Sequence, residues 1–294
     1  MLGMIRRLGP LVTLLVALVA SGSPRADGPV GDPRQILHVM GQAVEGVRDY
    51  TMTLVSQEWN GHGLAPAETL AAKWARPFKL YYKKLNAPHR GREVLYADGW
   101  NDGKLKVSLR VWPLNLGLNI NPHGDLAMAD NKHPIDESSL IYFVGVVLDN
   151  FRRAEERGEA TVEDRGQETI LGRASHRVRI VTSQSAVSYT LLRGETLWDV
   201  AKRFDVAMAP LLHENSDLGW DVPGDAKAGQ TIRIPRYYAA RIDLWIDDAL
   251  SLPLVAEIYD ARGTMFERFE HHELRINVGL GPLDFSPQNP AYKF

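Results

Sequence analysis

Apolar residues recur at helical spacing in two stretches of the chain and at every second position through most of the rest. In the first helical stretch Ile36, Leu37, Met40, Val44 and Val47 form one stripe. It is preceded by Asp32 as an N-cap and Pro33 at the first helical position. From Tyr50 the period changes to two. Tyr50, Met52 and Leu54 alternate with Thr51, Thr53 and Val55, which predicts a strand. Asn60-Gly61-His62-Gly63 reads as a hairpin loop leading into a strand over Glu68–Ala75. Phe78–Lys84, Arg92–Ala97 and Lys104–Val111 continue the alternation, so the first half predicts a helix followed by a five-strand antiparallel meander.

Trp112–Asn131 is rich in Pro, Gly and Asn and is expected to be an irregular loop. Asp136 or Ser138 then caps a second predicted helix carrying Leu140, Phe143, Val144, Val147 and Phe151, and Gly158 stops it. Strands are predicted at Ala160–Arg165, Arg173–Thr182, Ala240–Asp247, Leu254–Asp260 and Thr264–Ile276. Gly281–Phe294 is expected to be a tail laid on the surface.

The N-terminus has a different character. Arg6 and Arg7 precede an apolar run from Leu11 to Ala20, and Ser21, Gly22 and Ser23 follow. A basic start, a short apolar middle and a small-residue exit describe a secretory signal peptide, assigned to residues 1–26, with Gly22 and Ala26 as alternative ends. The run is shorter than the roughly 20 residues that span a bilayer. The expected location is therefore the periplasm or the cell wall. Absence of cysteine excludes disulfides, thiolate metal sites and a cysteine nucleophile. The 34 basic and 36 acidic residues give a net charge of −2, with no global basic field for nucleic acid. Cleavage after Gly22, with loss of Arg6 and Arg7, takes that to −4.

Between the strands at Arg173–Thr182 and Ala240–Asp247 lies a 49-residue segment of separate design, Ser188–Arg236. Tyr189–Arg193 ends as a short strand and Gly194 permits a tight turn. Thr196 is a candidate N-cap with Asp199 three residues on, and Leu197, Val200, Ala201 and Phe204 give the helix one apolar face. Pro210-Leu211-Leu212 begins a second short helix, and Gly229–Pro235 is a closing strand. The order is βααβ.

These residues resemble the LysM module, whose pattern is an aromatic-Thr strand, Arg-Gly-Asp-Thr-Leu-Trp, two helices and Gly-Gln-x-Ile-x-Ile-Pro. The resemblance implies binding of N-acetylglucosamine glycans, chiefly peptidoglycan, between two loops. By position these are Gly194, Glu195, Thr196 and Leu197, and then Asn215, Ser216, Asp217, Leu218 and Gly219. Glu195 stands where Asp is usual, Ala228 replaces a common proline, and the loop Ser216–Lys227 is longer than usual and contains Trp220.

Joining the flanks gives an α+β fold: one curved antiparallel half-barrel sheet with helices in its concave face, and the βααβ module inserted at a hairpin tip. The two ends of the module should lie side by side, with Ser183–Val187 and Tyr237–Ala239 as hinges. Residues 32–187 and 237–294 form the half-barrel domain and 188–236 the module. The flanks resemble the periplasmic lipoprotein-sorting superfamily of LolA and LolB type, and more nearly an uncharacterised bacterial branch of it. The motifs are Asp49-Tyr50-Thr51, Arg76-Pro77-Phe78, Gly91–Tyr96, Asp125–Met128, Ile242–Asp247 and Leu252-Pro253-Leu254. This implies a hollow for a lipid or lipoprotein, with Leu80, Tyr82, Ile141, Phe143 and Val147 as lining or core.

No catalytic constellation is recognised. His271 and His272 are neighbours on a strand and point to opposite faces. His62, His89, His123 and His133 have no ligand spacing. Lys83, Lys84, Arg90 and Arg92 read as a solvated basic face. The expected function is a non-enzymatic, exported envelope protein that needs no cofactor or metal. It would be tethered to peptidoglycan and hold a lipid or lipoprotein partner. The alternative is a cell-wall enzyme that uses the module for targeting.

Overall fold

The structure, a computed structural model, describes residues 31–111, 114–129 and 131–294. The expected signal peptide lies outside the described residues, as do Trp112, Pro113 and Asp130. The chain opens with α1 (Pro33–Glu45), β1 (Asp49–Glu58), β2 (Glu68–Ala75), β3 (Lys79–Lys84), β4 (Glu93–Ala97), β5 (Leu105–Val111) and β6 (Leu114–Ile120). A short α2 (Asp125–Met128) and the long α3 (Leu140–Glu155) follow, then β7 (Ala160–Ile170) and β8 (Arg173–Thr182). The inserted module carries β9 (Ala186–Thr190), α4 (Leu197–Phe204), α5 (Met208–Glu214) and β10 (Thr231–Pro235). The fold closes with β11 (Arg241–Asp247), β12 (Pro253–Tyr259) and β13 (Met265–Ile276).

Among the described residues eleven strands make one antiparallel sheet in the order β6-β5-β4-β3-β2-β1-β13-β12-β11-β8-β7. Laid flat, the eight steps from β5 to β8 would span about 38 Å. Instead the sheet curves around α1 and α3, and Leu105 and Val107 of β5 and Val178 and Ile180 of β8 belong to one continuous apolar core with those helices. Leu37, Met40 and Val44 of α1 and Phe143, Val144 and Val147 of α3 fill the concave side. Leu80 and Tyr82 belong to that core, and Ile141 packs against it half-buried. Asp32 caps α1 through the Arg34 amide, as the sequence predicts. The cap of α3 is Ser139, which accepts from the Tyr142 amide at 3.1 Å, and not Asp136 or Ser138. Four acidic or hydroxyl residues, Asp136 to Ser139, crowd this start, and pattern alone does not separate them. Tyr50, stacked on Trp74 at 5.4 Å, accepts the Leu140 amide of the same helix end.

The five-strand meander forms as predicted, with β6 as a sixth strand and α2 beyond it, both within the expected irregular loop. Backbone pairing with β5 overrides the low strand preference of Asn and Gly there. The tail lies on the outer face, where Tyr292 stacks on Tyr81 at 4.0 Å and Asp284 pairs with Lys73 at 2.7 Å. Phe285 and Tyr292 thus cover an outer apolar patch of Ala75, Tyr81 and Leu95. The proposed solvated basic face is not one: Lys84 is buried and bonded to Glu68, and Lys83 pairs with the buried Glu93.

Candidate functional site

The module starts and ends at neighbouring points. Ala186 pairs with Pro235, and Val181 pairs with Arg241 in the sheet below, so the insert continues a hairpin without splaying β8 from β11. Thr196 caps α4 in a full capping box: its Oγ1 accepts the Asp199 amide while Asp199 accepts the Thr196 amide at 2.9 Å. Leu191, Leu197, Val200, Leu211, Ile232 and Ile234 form a separate small core.

The nine sequence-predicted residues divide by exposure. Gly194 takes φ +79°, a conformation that only glycine adopts cheaply, and it faces open space. Thr196 beside it is exposed. Glu195 turns inward: its carboxylate accepts from the Tyr189 hydroxyl and the Leu192 amide, each at 2.9 Å, and pairs with Arg203 at 2.7 Å. The longer Glu reaches the Tyr189 hydroxyl and braces the turn from behind. Leu197 is fully buried. Asn215 is also fully buried, its amide donating to the Leu211 and Arg233 carbonyls and accepting from the Arg233 amide. Those two side chains set the loops and offer a ligand no surface. Ser216 and Leu218 are half-buried, while Asp217 and Gly219 are exposed and Asp217 pairs with Arg233. The stretch hydrogen-bonded directly beside the first loop is Lys227–Gln230, through Leu191, whereas Asn215–Gly219 is fastened to the middle of β10.

Sequence gave no sign that the module is seated on the half-barrel. Met128 of α2 is buried in the module's own core. The Gly224 amide donates to Asp125, and the His123 ring lies 4.6 Å from that of Trp198. Glu137 accepts the Met208 amide, and Arg153 pairs with Asp205 at 2.8 Å. His213 of α5 stacks on Phe266 at 4.3 Å, has Trp59 at its edge, and lies 3.3 Å from Asp260. The expected hinges are therefore corrected. Tyr237, Tyr238 and Ala239 are buried, Gln184 bonds both the amide and the carbonyl of Tyr237, and Arg236 pairs with Glu159.

Under this seam lies a charged cluster that spacing could not reveal. His133 Nε2 is 2.8 Å from Glu267, whose other oxygen accepts from Tyr238 at 2.7 Å. Glu58, the cross-strand neighbour of Glu267, accepts the Lys132 amide at 3.0 Å. Burial alone would push the His133 imidazole down, but the Glu267 carboxylate and then Glu58 outweigh it and carry it up to about 9. Burial pushes Glu58 up. A cavity of about 50 Å³ bordered by Glu58, Trp59 and Glu267 separates this cluster from Ser216 and Trp220 of the module. A second cleft, of about 340 Å³, runs between α1 and α3 over Leu37, Gly41, Leu148 and Phe151, with Arg34 and Arg152 at its rim.

His271 and His272 part as predicted. His271 is buried against the Pro253 carbonyl at 2.7 Å and pushed down to about 4 by burial, while His272 meets Glu270. Among the described residues no group of three or more His, Cys, Asp or Glu could hold a metal ion, and no helix is long and apolar enough to cross a membrane.

The model of a family described as protein of unknown function (DUF1571) matches residues 47–211 and 228–294. The LysM domain model matches residues 189–235. No curated protein matches the sequence. Among solved structures the chain is similar to MucB, at 10% identity over 87% of this chain and 62% of that one, with a TM-score of 0.44. It thus spans about three fifths of the length of MucB. A putative outer membrane lipoprotein-sorting protein domain from Vibrio parahaemolyticus is 11% identical over 87% of this chain and 97% of that one, with a TM-score of 0.33. Lipoprotein LppX of Mycobacterium tuberculosis is 10% identical over 85% and 98%, with a TM-score of 0.38.

Proposed function

This chain belongs to the DUF1571 family, and from that premise we propose that it is an exported, non-enzymatic cell-envelope protein whose LysM module binds N-acetylglucosamine glycan, peptidoglycan first. One observation carries the reading: the LysM match over residues 189–235 falls on a complete βααβ unit whose first loop is exposed. Gly194 presents backbone groups suited to acetamido and hydroxyl partners, Thr196 Oγ1 keeps one acceptor site beyond its two hydrogen bonds with Asp199, and Ser216–Gly219 extend the surface. Leu197, Glu195 and Asn215 hold those loops from within.

The half-barrel takes an apolar partner at the cleft between α1 and α3, because its concave side is already filled by those helices. A lipid chain or a lipoprotein segment fits the apolar floor of that cleft. An export signal at residues 1–26, expected from the sequence, would carry the protein to the periplasm or the wall. Against a hydrolase stands the state of the cross-strand carboxylate pair Glu58 and Glu267. Glu267 is 2% exposed and both its oxygens are held, by His133 and Tyr238.

The test is co-sedimentation of the full chain with purified peptidoglycan, with soluble N-acetylglucosamine oligomers as competitor. Displaceable binding that falls in Thr196→Asn, which keeps an N-cap side chain, supports the reading. Binding that oligomers do not displace contradicts it. Clearing of cell walls in a zymogram, abolished by Glu267→Gln, would install the enzyme reading instead.

A further inference from the structure

The seam between module and half-barrel is lined on both sides by titratable side chains. Three histidines stand along it, each against a carboxylate: His123 with Asp136, His133 with Glu267, and His213 with Asp260. We propose that protonation controls how firmly the module is seated, with the His133 cluster as the sensor and the module's α5 face as the element it holds.

His133 faces Glu267 on β13, Glu58 on β1 and Glu137 in the turn before α3, and the Phe269 ring meets its edge. Glu58 also faces Glu68 on β2. Two of the groups around His133 reach the module directly. Glu137 accepts the first amide of α5, from Met208, and stands beside Asp136 and Tyr142. Lys132, next in the chain to His133, gives its amide to Glu58 and its ammonium to the Asp221 carbonyl of the module at 3.5 Å. At the outer end His123 lies between Asp136 and Trp198, with Glu137 near. On the far side His213 is held by Asp260, Trp59 and Phe266.

A protonated His133 balances three carboxylates that converge from three elements. Without that proton Glu58 and Glu267 face one another and Glu137 loses its cationic neighbour, and the cheapest relief is water entering through the adjoining cavity of about 50 Å³. Among the described residues, Trp59 Nε1 and His213 Nδ1 of the cavity lining and His133 Nδ1 of the cluster are buried with no hydrogen-bond partner. The ionisation shifts resolved for His123, His133, Glu58 and Glu137 are all upward. A seated state that holds protons more tightly than a loosened one is favoured by acid and opposed by base. The device is independent of whether the module carries a glycan.

The chain has no cysteine, so two introduced ones carry spin labels without background. Lys104→Cys at the start of β5 and Lys202→Cys on α4 are both exposed. Electron–electron distance measurement on the full chain should give one narrow distribution at pH 6. A second, displaced population should grow by up to about tenfold per pH unit above pH 7 for each proton released. His133→Gln should show that population already at pH 6 with a flattened pH response. Should that variant fail to fold, His123→Asn is expected to flatten the response in part. Identical distributions at pH 6 and 9.5 in the otherwise unaltered chain would overturn the proposal, as would a histidine variant that keeps the full response.

Discussion

The Gly224 amide donates to the Asp125 carboxylate at 3.0 Å, joining the module's long loop to a half-barrel segment 99 residues earlier in the chain. A methyl group at position 224 would run into that carboxylate. Gly224→Ala should therefore push Asp125 aside and break the bond, and Asp125→Ala should remove it directly. Each is expected to cost about 1–2 kcal/mol by urea denaturation, and the double variant no more than either alone.

Met128 is buried in the module's core although it belongs to the half-barrel. Met128→Ala should cost about 2–4 kcal/mol. Hydrogen exchange should report the loss at the amides of α4 and α5 rather than in the central strands. Exchange that rises only in β5 and β6 would contradict that placement.

Glu195 braces the first loop from beneath, through Tyr189, Leu192 and Arg203. Glu195→Ala should cost about 1–3 kcal/mol by leaving inward donors unpaired. Glu195→Gln should recover part of it. Glycan affinity is expected to fall with the loop's order rather than through a lost sugar contact.

Two buried histidines bound the pH range of stability from opposite sides. His133 is raised to about 9, so its contribution is complete below pH 6.5 and disappears as pH climbs through 9. His271 is lowered to about 4, so its neutral form supports folding above pH 6.5 and that support is lost as pH falls toward 4. Each is worth on the order of 3 kcal/mol. Denaturation midpoints across pH 4–10 should trace a dome. His271→Gln should flatten its acid limb and His133→Gln its alkaline limb.

The tail is a structural strap, with Tyr292 stacked on Tyr81 and its hydroxyl on the Asp284 carbonyl. Tyr292→Ala should cost about 2–4 kcal/mol and raise binding of a hydrophobic dye to the outer face. Unchanged dye binding would show that the patch is covered by other means.

Local pattern carried the fold because its signals are local. The alternation of Tyr50, Met52 and Leu54, the cap at Asp32 and the capping box at Thr196 each need only a few neighbouring residues. The same reading missed β6, whose Asn and Gly residues are tolerated because β5 supplies the pairing. For the site, Gly194 and Thr196 were legible from a turn and a cap. The inward turn of Glu195 and the burial of Asn215 depend on Arg203 and Arg233, across the module's fold. The seam was wholly illegible. His133 and Glu267 are 134 residues apart and Asp125 and Gly224 are 99 apart, so no spacing rule brings them together.

Backbone amide shifts during titration with N-acetylglucosamine oligomers would locate any glycan on the chain directly. Perturbations concentrated at Gly194–Thr196 and Ser216–Gly219, growing with oligomer length, are the expected result. A chain whose amides stay still under saturating oligomer, or shift only along the cleft between α1 and α3, would contradict glycan recognition by the module.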